Sequence, residues 1–132
     1  MNRAPSILIF NMNRLKASKI LALASGLGIE GRIVPDEEWH LPLGKLFSLP
    51  EGAYRPSYSK DEAGALTEEM LVMADLVDPL FDTFLSALRQ NGSAVSLKAV
   101  ITPINAGWSP CMLFGHIVKE RMEIARQSKS VL

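Results

Sequence analysis

Four short apolar runs, two helical periodicities and one long polar stretch set the layout of this chain. Ser6 to Phe10 (SILIF) is a continuous apolar run rich in isoleucine, the pattern of a strand covered on both faces. Asn11 or Asn13 then offers a helix cap. Ala17, Ile20, Leu21, Ala24 and Leu27 follow at the spacing of one helical face, and Gly28 is the natural stop. Arg32 to Val34 reads as a second, shorter strand closed by Pro35. After a long interval, Met70 to Met73 repeats the character of the first run. Asp78 and Pro79 then read as cap and first residue of a helix with Phe81, Phe84, Leu85 and Leu88 on its buried stripe, ended by Asn91-Gly92. Leu97 to Ile101 is the fourth strand. A turn holding Thr102, Pro103, Asn105, Gly107 and Trp108 leads to Ser109 and Pro110, which open a last helix to about Gln127.

The interval 36–68 has no sustained periodicity. It holds one predicted helical turn between Leu43 and Leu49, bracketed by prolines, in a stretch rich in Gly, Pro, Ser and charge. The chain is therefore expected to be a single domain, 1–132, with a long acidic loop insertion at about 36–68. Trp39, Tyr54 and Tyr58 within it either pin the loop to the core or wait there for a ligand.

The order β-α-β-(loop, short helix)-β-α-β-α fits two sheets. The first is an α/β domain of three layers: a four-stranded, mostly parallel sheet, order 2-1-3-4, with helices on both faces. There the first and last helices would share one face, and the 79–90 helix and the short turn the other. The alternative is an α+β ferredoxin-like βαββαβ with an extra C-terminal helix. The parallel sheet would bring Asn11, Asp75 and Thr102, small polar residues that each follow an apolar strand, to one edge. In the ferredoxin-like sheet Thr102 lies opposite the other two. The strand–helix pairs 7–28 and 70–92 are alike in length and pattern, which suggests an internal repeat.

Composition narrows the function without naming one. With 132 residues and 48% hydrophobic content the chain can bury one core. One cysteine, Cys111, excludes an internal disulfide framework and fits a reducing compartment. No apolar run reaches a membrane span and no signal peptide is evident, so the expectation is a cytoplasmic protein without membrane association. Zero net charge gives no case for nucleic acid. The charges are segregated: residues 36–82 carry eleven acids against three bases, while 1–35 carry five bases and one acid, and 83–132 six bases and two acids. His40 and His116 are lone histidines, Cys111 has no acid–base pair beside it in sequence, and Ser109 serves better as a cap than as a nucleophile. Gly26, Gly28 and Gly31 follow a helix rather than open one, so no phosphate loop is present.

Two resemblances add to this. ILIFNMNRLKASKI and LKAVITPINAGW resemble segments of a family of short, functionally uncharacterised bacterial proteins, which implies a fold-sized module and no stated activity. ILIFNM, LVMADLVDP and VITP resemble the strand ends of response-regulator receiver domains, with Asp75 at the phosphoacceptor position and Thr102 at the hydroxyl position. The pattern is degenerate: Asn11 and Met12 stand where a receiver has its acidic pair, and a fifth strand with its lysine is absent. The expectation is a non-catalytic binding or regulatory module with no metal and no cofactor, meeting an unknown protein or small molecule. Its candidate binding residues are Asn11, Asn13, Asp75, Thr102, Asn105 and Trp108. The alternative is a degenerate receiver-like phosphate-handling domain, or a small enzyme, acting at the C-terminal edge of the sheet.

Overall fold

A computed structural model describes residues 4–50, 52–56 and 66–130, with side chains to Ile124. Strand β1 (Ser6–Phe10) leads through α1 (Arg14–Gly26) to β2 (Glu30–Ile33). A 3-10 turn (Asp36–Glu38) and the single-turn α2 (Leu43–Leu46) follow. Then come β3 (Met70–Ala74), α3 (Leu80–Gln90), β4 (Lys98–Val100), a second 3-10 turn (Asn105–Gly107) and α4 (Pro110–Ser130).

The local signals place these elements for the reasons they carry. Asn13 caps α1, its Oδ1 accepting from the Lys16 N–H at 2.8 Å, and Gly28 takes the left-handed conformation (φ 77°) just beyond the helix end. Ser109 caps α4, accepting from the Met112 N–H at 3.1 Å, with Pro110 in the first helical position. Asp78 is a correction. The helix begins at Leu80 with Pro79 in the cap position and no side-chain cap bond, which leaves Asp78 one residue too early to bond the first turn.

The strand order is 2-1-3-4, in an α/β arrangement with helices on both faces. The sheet is mixed. β1–β2 and β3–β4 are parallel, but the central pair β1–β3 is antiparallel, with Leu8 opposite Val72. Two βαβ units thus meet about an approximate two-fold axis through that pair, which is the form the sequence repeat takes.

Reversing β3 also changes which face each helix covers. Crossovers of one hand that step in opposite directions across an all-parallel sheet land on opposite faces. When one unit is turned over, both land on the same face. α1 and α3 accordingly share a layer with Ile7, Ile9, Leu71 and Met73, through Ala17, Ile20, Phe84 and Leu88. The expected pairing of α1 with the last helix is therefore overturned. The other face, built on Leu8, Phe10, Met70 and Val72, is covered by α2 and the start of α4, with Leu43, Leu46, Leu113 and Phe114.

The acidic connection is fastened to this second face where it is described. Trp39 donates from Nε1 to the Val34 carbonyl (3.1 Å), and the Leu43 N–H donates to the Trp108 carbonyl (2.8 Å). The Tyr54 ring lies so close to Gly44 that a Cβ there would sit 2.5 Å from it. Trp39 and Tyr54 pin the loop, while Tyr58 lies outside the described residues.

Candidate functional site

The antiparallel centre of the sheet separates the three polar residues expected at one edge. Asp75 and Thr102 follow β3 and β4, which run in the same direction, and lie at one edge. Asn11 follows β1, which runs the other way, and lies at the opposite edge. Asp75 falls opposite Pro5 in this register, and six residues at about 3.3 Å each put roughly 20 Å between Asn11 and Asp75. The constellation of Asn11, Asp75 and Thr102 does not form.

The polar residue after each long strand has a backbone cause instead. Asn11 (φ 52°) and Asp75 (φ 64°) both adopt the left-handed conformation, which Asn and Asp tolerate best among residues with a Cβ. They occupy equivalent positions in the two βαβ units, where the chain turns from strand to helix. Asn11 also donates from Nδ2 to the Leu66 carbonyl at 3.1 Å, and Asn13 is occupied as the α1 cap.

This geometry bears directly on the receiver resemblance. A receiver site needs strand ends of β1 and β3 together, and here they point apart. Incubation with magnesium and acetyl phosphate is expected to leave the intact mass of the protein unchanged. A gain of one phosphoryl group that Asp75→Asn abolishes would contradict this.

The turn after β4 is where candidate residues do converge. Thr102 and Asn105 bond reciprocally: the Thr102 N–H donates to Asn105 Oδ1 (2.7 Å), and the Asn105 N–H donates to Thr102 Oγ1 (3.0 Å). Asn105 Nδ2 also donates to the Val100 carbonyl (3.1 Å). Asn105 is buried, and both ends of its amide are engaged in shaping the turn, the self-bonding that favours Asn in such positions. Gly107 is required by close approach, since a Cβ there would run into the Arg55 carbonyl oxygen.

Trp108 stands just before the α4 cap, half-buried, and packs on the cluster that includes Leu113. That is the staple arrangement at a helix start. Its indole also stacks on the His116 imidazole, with ring centroids 4.3 Å apart and 16° between planes. His116, a lone histidine in the sequence, is thus an aromatic neighbour of the turn. Its signal was spacing, because a residue two turns into a helix lies above the one that precedes the cap.

Between β4, this turn and α4 lies a cleft of about 360 Å³. Its floor is Ala99, Leu113 and Ile117, the Trp108–His116 stack forms a wall, and Lys98, Thr102, Ile104 and Glu120 stand at its rim. Ile104 is 73% exposed. The cleft can take an apolar side chain with polar groups around it.

The remaining chemistry is sparse. Burial pushes the Cys111 thiol up from its ordinary value, against a smaller opposing effect of a Leu66 backbone hydrogen bond, so it stays a thiol at neutral pH. Arg121 holds the Glu68 carboxyl below its ordinary value through paired hydrogen bonds of 2.8 and 3.3 Å, an exposed pair of small energetic weight. Among the described residues, no group of three or more His, Cys, Asp or Glu is placed to hold a metal ion. No helix among them is long and apolar enough to cross a membrane.

Compared with known families, residues 69–124 match the model of a domain of unknown function, DUF3783. This agrees with the resemblance to an uncharacterised family read from the sequence. The matched stretch takes in β3, α3, β4, the Thr102–Trp108 turn and most of α4, and so contains the whole cleft. Asn11, Asn13 and most of the acidic connection lie outside it. No curated protein and no solved structure matches.

Proposed function

We propose that this chain is a non-catalytic docking module that receives an apolar side chain of a partner protein in the cleft between β4 and α4. The observation that carries this reading is the cleft's construction. An aromatic stack and an apolar floor are held by a turn whose own polar groups are already bonded to one another, with an exposed isoleucine at the mouth. Pockets of this kind, apolar within and polar at the rim, suit anchoring side chains of a partner. Four of the polar candidates have structural work: Asn11 on the Leu66 carbonyl, Asn13 at the α1 cap, and Thr102 and Asn105 inside the turn. The single cysteine supports a reducing, cytoplasmic setting, and the resemblance read from the sequence supports a bacterial one.

The test is a panel of short polar peptides, each carrying one leucine or aromatic side chain, followed by amide chemical shifts. Shifts confined to residues 98–120 are expected, and Ile104→Asp is expected to abolish them while changing stability by less than about 0.5 kcal/mol, as at other exposed positions. Unchanged shifts at millimolar peptide, or binding that survives Ile104→Asp, would overturn the reading.

A further inference from the structure

The two edges of the sheet are finished differently. In a parallel ladder, alternate residues turn their backbone groups toward the neighbouring strand and the rest turn them outward. At β4, Leu97 and Ile101 bond to β3, so Lys98 and Val100 face outward, and the outward Val100 carbonyl is taken by Asn105 Nδ2 (3.1 Å). That edge is blunted. At β2, the Glu30 N–H donates to the Pro5 carbonyl and the Val34 N–H to the Ile9 carbonyl, both at 2.9 Å. Gly31 and Ile33 therefore present their N–H and C=O groups to the outside.

All four residues of β2 are exposed, Ile33 at 42%. The order of side chains, Glu30-Gly31-Arg32, is self-complementary about its centre. An antiparallel copy laid against this edge with Gly31 opposite Gly31 exchanges two backbone hydrogen bonds at that position. It sets Glu30 of each chain directly opposite Arg32 of the other, in the closer, non-hydrogen-bonded type of pair. The side-chain directions fit this register. A Cβ on Gly31 would sit 2.5 Å from Leu21, so this residue's side-chain direction is toward α1, and Glu30 and Arg32 project together on the α2 side. There Arg32 is already held by Glu38 (3.2 Å) and reaches the Leu46 carbonyl (3.5 Å), and it has donors left for a second carboxylate. Clefts of about 310 Å³ and 560 Å³ flank β2 on the α2 and α1 sides, with room for the opposing side chains.

We propose that β2 is the seam of a two-fold dimer, in which the β2 edges of two copies pair antiparallel about Gly31 through reciprocal Glu30–Arg32 contacts. The result is a continuous eight-stranded sheet with β4 at both outer ends. Four-residue edges bury less than a standard interface, so the dimer is weak, with a dissociation constant on the order of 100 µM.

Sedimentation of the intact chain between about 10 µM and 1 mM tests this, its mean mass expected to climb from the 14.5 kDa monomer toward twice that value. Glu30→Arg and Arg32→Glu each place like charges opposite one another in the homodimer, and each is expected to weaken self-association at least tenfold. Mixed one to one, the two variants regain both complementary pairs, and a heterodimer of wild-type affinity is expected. A wild type that stays monomeric throughout would overturn the proposal. So would variants that associate like wild type, or a mixture that fails to associate while both variants keep the native circular dichroism.

Discussion

Phe84→Ala is expected to lower the unfolding free energy by about 3–5 kcal/mol, the range for removing a buried aromatic side chain. Phe84 is completely buried beneath α3, in the layer that also receives Ile20 and Ala24 of α1 and Ile9 and Met73 of the central strands. Urea denaturation followed by far-ultraviolet circular dichroism measures the loss. The milder pair Phe84→Leu and Ile20→Val tests the placement of the helices. Substitutions in one shared cluster are expected to be non-additive by more than about 0.5 kcal/mol, whereas sites on opposite faces of the sheet would add. Strict additivity would contradict the common layer of α1 and α3.

Trp108→Ala is expected to cost about 2–4 kcal/mol, somewhat below the full value for a buried tryptophan because the side chain is only half-buried. Its contributions are contact with the cluster around Leu113, the stack on His116, and the fixed entry of the chain into α4. The backbone at this residue is also a joint. The Trp108 carbonyl receives the first N–H of α2, so a shift here loosens the acidic connection as well. A loss under about 0.5 kcal/mol by chemical denaturation would mean that the indole does not hold the helix start. It would leave the cleft as the reason for having a tryptophan there. Ile104→Asp is the complementary change, since it alters the mouth of the cleft without touching the staple.

Much of the fold was legible because its signals are local. Apolar runs of four or five residues mark β1 and β3, caps at Asn13 and Ser109 place two helix starts, and Gly28 ends α1 through its left-handed backbone. The strand order 2-1-3-4 expected for two adjacent-strand crossovers is also the one observed. The turn after β4 could be recognised as the shaped feature of the chain because Thr, Pro, Asn and Gly act on their own backbone.

Strand direction was decided elsewhere. A doubly covered strand shows the same continuous apolar run whether its neighbour is parallel or antiparallel, because the pleat alternates identically in both. The connection from Val34 to Glu69 is long enough to deliver β3 in either sense. Only the packing of α1 with α3, and of α2 with the turn before α4, selects the reversed one. That single reversal put Asn11 and Asp75 at opposite edges and turned two apparent site residues into backbone devices. Residue type and order thus determined the elements, their caps and the turn, since those depend on neighbours a few positions away. Which strand ends lie together, and so whether Asn11 meets Asp75, was decided by tertiary contacts between residues dozens of positions apart, for which one sequence carries no local signal.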